Sequence, residues 1–309
     1  MGEPAIVVEG LRKSYGHNEA VRGIDFEVPR GEVFALLGPN GAGKTTTVEI
    51  LEGFRQRDAG TVSVLGLDPH HGRRALRQRI GIVLQECGID PYLTVIEVAR
   101  MHASRYSAPR SPGEVVELVG LAEQSDQRVK TLSGGQQRRL DLALGLVGDP
   151  ELLFLDEPTT GFDPSARRAS WEIVRELCSL GKTVLLTTHY MDEAQALAST
   201  VAVIARGAIV ASGAPDAIAG RDRLATVVSF VPPEGVALSE FPVTVVPDGE
   251  RVRFEVPDGD ETTRKLHDLT GWALERSVEL VGLMVARPTL EDVYLSLTGG
   301  QRHEAEAAS

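Results

Sequence analysis

The sequence predicts an α/β fold with a mixed β-sheet core, a helical subdomain and a small C-terminal α+β domain. Three observations predict it. Short apolar runs suited to strands buried on both faces (Val33–Leu37, Leu152–Leu155, Thr183–Thr187) alternate with segments of helical periodicity. A glycine-rich segment, GPNGAGKTT over Gly38–Thr46, directly follows the first of those runs. Near Gly220 the pattern changes to short strands around one helix.

Taken in order, Ile6–Glu9 and Ile24–Val28 read as short strands around a turn at Tyr15–Asn18. Val33–Leu37 is a buried strand, the glycine loop follows it, and a helix runs from about Lys44 to Gly53. Ile80–Leu84 is a further strand, ending at Gln85. From Thr94 to about Leu121 the apolar residues fall at helical spacing, with Pro109 and Pro112 dividing two helices. Another helix starts after Ser133, with Leu140, Ala143, Leu144 and Val147 on one face. Beyond the change in composition, Ala225–Val231, Val243–Val246 and Arg251–Val256 read as strands, the last two joined by a turn at Asp248-Gly249. A helix from about Thr262 to Leu269, a strand from about Val278 to Val285 and a helix start at Pro288–Asp292 complete the small domain. The expected organisation is therefore a nucleotide-binding domain over 1–220 with its helical subdomain at about 90–150, an accessory domain over 221–300 and a flexible tail over 301–309.

Bulk composition excludes several classes. The 309 residues carry 32 basic and 44 acidic side chains, a net charge of −12, which disfavours a nucleic-acid surface, so no nucleic-acid partner is expected. Cys87 and Cys178 form neither a disulfide framework nor a metal pattern and read as free thiols in a reducing compartment. No apolar run reaches the roughly 18–20 residues of a spanning helix. The MGEPAIVVEG start lacks a secretory pattern, and Ile6 breaks the myristoylation pattern. If the chain works at a membrane, another subunit must span it.

Gly38, Gly43, Lys44 and Thr45 fill the fixed positions of the phosphate-loop template G-x-x-x-x-G-K-[ST]. Pro39, Asn40, Gly41, Ala42 and Thr46 complete the loop, whose backbone N–H groups can wrap a phosphate. Lys44 brings a positive charge to the β/γ oxygens, and the Thr45 hydroxyl can ligate the Mg²⁺ that accompanies ATP. Asp156 and Glu157 close an apolar strand on the rim where α/β sites lie. Asp156 fits a Mg²⁺ ligand and Glu157 the group that polarises the attacking water. His189, just past Thr183–Thr187, falls beside the γ-phosphate, and Gln85 at its strand end can reach metal or water through its amide. The Tyr15 ring can stack on adenine. Leu132–Gln136 reads LSGGQ, a second glycine-rich helix start formed by Ser133, Gly134, Gly135 and Gln136. One nucleotide needs one cradle, so two cradles in one chain suggest a nucleotide held between two surfaces.

In this order the phosphate loop, Gln85, LSGGQ, LLFLDE, Gly161–Pro164 and His189 resemble the nucleotide-binding subunit of an ATP-binding cassette transporter, over about residues 4–220. The resemblance implies a P-loop NTPase cassette that binds and hydrolyses ATP with Mg²⁺. It also implies head-to-tail pairing with a second cassette, identical or closely related. Ser133, Gly134, Gly135 and Gln136 would then act on the partner's ATP, and Asp163 would couple the sites across the seam. Phe162 stands where the family usually has Leu. PTLEDVYLSLTG (Pro288–Gly299), with TTGFDP and THYMDEA, resembles the subunits of daunorubicin-resistance-type multidrug exporters, whose pathway is a separate polytopic membrane permease. The resemblance puts such a subunit at the cytoplasmic face of a bacterial membrane, held there peripherally. An importer ATPase and a soluble cassette ATPase outside transport are the alternative readings.

Overall fold

The computed structural model describes residues 3–83, 88–159, 162–218, 225–256, 260–286 and 294. The chain divides into two compact units, Met1–Pro215 and Asp216–Ser309.

The first unit holds two sheets. β1 (Ile6–Tyr15), β2 (Asn18–Val28) and β4 (Ala59–Val64) form an antiparallel sheet in the order β2-β1-β4. β1 and β2 are longer than their apolar runs because Gly16 and His17 close a tight hairpin, with Tyr15 paired to Asn18. Tyr15 is therefore the last residue of a strand rather than part of an open turn. The second sheet contains β3 (Val33–Leu37), β5 (Ile80–Val83), β6 (Leu152–Asp156), β7 (Thr183–Thr188), β8 (Thr200–Ala205) and β9 (Ala208–Gly213). Its order is β5-β6-β7-β3-β8-β9, parallel from β5 through β8, with β9 returning antiparallel. The β8–β9 turn uses Arg206 (φ 50°) and Gly207 (φ 79°), the left-handed pair that suits a two-residue hairpin.

One buried cluster joins the two sheets and the helix α1 (Lys44–Leu51), with Phe26 of β2 stacked on Phe34 of β3 at 5.2 Å. The helical part comprises α3 (Val95–Ala103), α4 (Pro112–Leu118) and α5 (Gly134–Leu146); the short α2 (Arg73–Leu76) precedes β5. Thr94 and Glu97 form a capping box at the start of α3. α5 lies against β5 where glycines meet: a Cβ on Gly81 would fall 2.1 Å from the Gly145 carbonyl. α6 (Pro164–Ser179) and α7 (Met191–Leu197) flank β7.

The second unit is an antiparallel sheet, β11-β12-β10-β13, with α8 (Asp260–Glu275). Its strands are β10 (Thr226–Val231), β11 (Val246–Asp248), β12 (Arg251–Val256) and β13 (Val281–Ala286). It has its own core, including Val228, Phe230, Phe241, Phe254 and Leu269. The strand expected at Val243–Val246 starts only at Val246, where pairing with Arg253 of β12 begins; Val243 is buried in that core ahead of the ladder. The helix runs beyond its expected ends at Thr262 and Leu269. Leu84, the expected helix start at Pro288–Asp292 and the tail lie outside the described residues.

Candidate functional site

The parallel strands bring the chemistry to one rim. Leu37 at the end of β3 aligns with Thr188 of β7, and Asp156 at the end of β6 aligns with Thr187. The phosphate loop leaves β3 at this rim and enters α1 at Gly43, whose φ is 109°. Any other residue there is strained, and its Cβ would also lie 2.5 Å from the Ala20 carbonyl.

A cavity of about 520 Å³ opens here, lined by the loop residues Pro39–Gly41 and Gly43–Thr46 together with Tyr15, Asn18, Ala20, Asp156 and Glu157. Gly38 and Ala42 stand behind it. Ala42 is buried, and the Gly38 carbonyl accepts from Lys44 Nζ at 2.6 Å. Lys44 is 6% exposed, and its Nζ also reaches the Pro39 carbonyl at 3.3 Å and Glu157 Oε1 at 3.9 Å. Burial lowers its pKa, and the charges of Glu157 and Asp156 oppose that shift.

Glu157 stands at the centre of these contacts. Its Oε1 lies 3.3 Å from His189 Nδ1, at ion-pair distance but off the line of a hydrogen bond. Its backbone is left-handed, φ 45°, a conformation that costs a non-glycine residue on the order of 1–3 kcal/mol. The Glu157 N–H donates to the Thr187 carbonyl (3.1 Å) and to Thr187 Oγ1 (3.2 Å). The same hydroxyl donates to Asp156 Oδ1 at 2.5 Å. The His189 ring packs on Tyr190 at 4.1 Å, and the Arg167 guanidinium sits over Tyr190 at 4.4 Å.

Tyr15 is 40% exposed at the mouth of the cavity, and the Arg55 and Lys13 cations lie 5.1 and 5.7 Å from its ring. Thr45 is exposed at the foot of α1. Gln85 lies outside the described residues. Among the described residues no group of three or more His, Cys, Asp or Glu side chains converges as a metal site. What the loop offers a divalent ion is one hydroxyl and one nearby carboxylate, a donor set that fits a cation brought in on a triphosphate and still bound to its oxygens.

The LSGGQ segment stands apart. Ser133 caps α5 by accepting from the Gln136 N–H at 3.3 Å, and Gln136 Oε1 accepts from the Ser133 N–H at 2.9 Å. Ser133 and Gly134 are exposed, Gly135 is half-buried, and none of the four lines the cavity. Asp163 caps α6, its Oδ1 accepting from the Ala166 N–H at 2.9 Å, while its side chain stays exposed.

Sequence reasoning did not find Thr187, Arg138 or Glu193. Thr187 reads as an ordinary strand threonine until the register places it beside Asp156. Arg138 Nε and Nη2 donate to the carbonyls of Pro158, Asp156 and Glu157. Glu193 is fully buried; its Oε1 accepts from Thr159 Oγ1 (2.8 Å) and Trp171 Nε1 (3.3 Å), and burial raises its pKa. It links the chain just after Glu157 to the helix just after His189.

A phosphate loop between a buried strand and a helix, with a carboxylate pair on the neighbouring strand rim, defines a P-loop nucleotide hydrolase. Residues 21–160 match the family described as ABC transporter, and 226–289 match the ABC transporter domain-containing protein-like, C-terminal domain. Over the whole of both chains this one is 39% identical to a daunorubicin resistance ATP-binding protein of Streptomyces coeruleorubidus. It is also 39% identical to a Nod factor export ATP-binding protein of Ralstonia nicotianae, over 97% of this chain and 96% of that one. Among solved structures, the cbiO1 protein of Clostridium perfringens, part of an ABC transporter complex, aligns with TM-score 0.63 and 29% identity over 70% of this chain and 90% of its own. A dimeric ATP-binding cassette bound to ADP and Pi aligns with TM-score 0.61 and 22% identity, over 68% of this chain and 98% of its own. The chain belongs to the ATP-binding subunits of ABC transporters, a family that binds ATP, and it is an ATPase. No described helix is long and apolar enough to cross a membrane.

Proposed function

We propose that this chain powers export of a drug-like or hydrophobic compound through a separate polytopic membrane permease, as one of two cassettes paired head to tail. The carrying observation is the division of the chemistry. Lys44, Asp156, Glu157 and His189 gather at one strand rim, while Ser133 and Gly134 face solvent outside that cavity, available to a second chain's nucleotide. The exporter relatives, matched along the whole chain, support the direction of transport.

In this reading Gly38–Thr46 wraps the β- and γ-phosphates, and Lys44 exchanges its carbonyl partners for phosphate oxygens. Thr45, Asp156 and Gln85 would hold Mg²⁺, which when bound neutralises charge on the phosphate oxygens. Glu157 accepts a proton from the attacking water, and His189 orients that water and donates to the γ-phosphate. Tyr15 takes the adenine ring in place of its present cation neighbours. Ser133, Gly134, Gly135 and Gln136 close the partner's site with the positive end of α5, and Asp163 couples the two sites. The functional division we assign is a cassette over 1–220, with the permease-facing helical part at about 90–150 and an accessory domain over 221–300. The protein then sits peripherally on the cytoplasmic face of a bacterial membrane.

A cleft of about 530 Å³, with Phe54, Ile82, His102, Arg105 and Tyr106 among its lining, supports a permease contact between the core and the helical part. Of the apolar residues between Gln85 and Arg105, Tyr92 is 67% exposed and open to such a contact, whereas Val95 is buried in the packing of α3.

The test is co-purification. Tagged Glu157→Gln protein with ATP and Mg²⁺ should retain a polytopic membrane protein from detergent-solubilised membranes, and vesicles carrying both should export substrate with ATP. Recovery of only soluble partners, or ATP-driven uptake into cells, would overturn the export reading.

A further inference from the structure

Glu157 occupies a conformation that its own backbone disfavours, so something must hold it. Thr187 fixes its N–H side. The carbonyl side is held from a different part of the chain. One guanidinium, that of Arg138, donates from Nε to the Pro158 carbonyl (3.0 Å) and from Nη2 to the Asp156 (3.2 Å) and Glu157 (3.4 Å) carbonyls. Three successive carbonyls through the strained position therefore share one donor fork. The side chain is 11% exposed, and Asp141 Oδ2 lies 3.6 Å from its Nη1, balancing its charge within α5.

The origin of the clamp matters as much as its target. Arg138 lies on α5 one turn beyond Ser133 and Gly134, the exposed residues at that helix's start. Further along, α5 is pressed on β5 through the Gly81–Gly145 approach, and β5 is the neighbour of β6, which ends at Asp156. The helix that presents the LSGGQ segment is thus joined to the backbone of Glu157 both through the sheet and through one side chain.

We propose that Arg138 is a positioning residue: it holds the Glu157 backbone in its left-handed conformation and links movement of the LSGGQ helix to the aim of the Glu157 carboxylate in the same chain. This rests on the reading of Glu157 as the group that activates water. A nucleotide engaged by one chain's LSGGQ segment then acts on that chain's own hydrolytic carboxylate, a route distinct from Asp163. The fork accounts for the residue type, because a planar guanidinium reaches several carbonyls in fixed directions whereas an ammonium is a single point.

The experiment compares Arg138→Gln and Arg138→Lys with the full-length parent. Steady-state hydrolysis is measured beside ATP affinity, the latter by calorimetry in the Glu157→Gln background. Misaiming the carboxylate should lower kcat by about ten- to a hundredfold while ATP affinity stays within about twofold. Arg138→Lys keeps the charge and most of the packing, so it decides the matter if Arg138→Gln does not fold. Its kcat should still fall while its melting temperature stays near the parent's. Parental kcat in Arg138→Lys, or kcat and affinity falling together, overturns the proposal. Full turnover by Glu157→Gln alone would instead remove the underlying reading of the site.

Discussion

Glu157 carries most of the chemistry at the scale of single residues, with Lys44 Nζ 3.9 Å and His189 Nδ1 3.3 Å from the same carboxylate oxygen. Replacing it by Gln keeps shape and hydrogen-bonding capacity but removes the proton acceptor. Glu157→Gln should lower hydrolysis by about two to four orders of magnitude while retaining ATP binding, as phosphate release and calorimetry would read. Glu52 offers a second prediction. It is 3% exposed at the end of α1, and burial, with Asp156 and Glu49 nearby, pushes its pKa from the ordinary 4.5 to about 8. Below pH 4.5 it is neutral in the folded and unfolded states alike. Between 4.5 and 8 the unfolded chain gives up the proton that the folded chain retains, so stability falls as pH rises through that window. Thermal unfolding without nucleotide or divalent metal should therefore show Glu52→Gln gaining on the parent from pH 5 to pH 8. Equal slopes would mean the carboxyl is hydrated.

Among elements, α5 does two jobs. Its start is capped internally by Ser133 and Gln136, so the loop is already formed and its outward face is free for an anion. Ser133→Arg places bulk and charge on that face without touching the cavity lined by the chain's own phosphate loop. Turnover should be lost while ATP binding to the single chain persists; normal dimerisation and hydrolysis would contradict the paired-cassette reading. α3 is capped in the same way by Thr94 and Glu97. Thr94→Ala should cost about 1 kcal/mol in denaturant unfolding, the usual value of such a cap.

For the whole molecule, the decisive feature is that, among the described residues, each unit has a buried cluster of its own, one spanning both sheets of the first unit and one inside the second. The cavity is lined by residues of the first unit only. Calorimetry should therefore resolve more than one transition, and ATP with Mg²⁺ should raise the one belonging to the first unit, by mass action. A single transition shifted as a whole would instead mean that the units unfold cooperatively.

Much of this protein was legible in the chain because its signals are local. The phosphate loop, the carboxylates after LLFL and the capped LSGGQ helix each lie within one strand–loop–helix stretch, where spacing and residue type suffice. The limits were local too. Apolar runs understated β1 and β2, because strand length there is set by a hairpin turn and not by hydrophobicity. Val243 looked like a strand residue, but its segment pairs with β12 only from Val246. Thr187 and Arg138 carry no motif, and THYMDEA does not show the role of its Glu193; their partners lie 31, 20 and 34 residues away. Sequence by itself determined which groups could do nucleotide chemistry and on which kind of element each sits. Only tertiary structure decided which meet, because strand order and register set distances between residues far apart in the chain, and burial sets their charge.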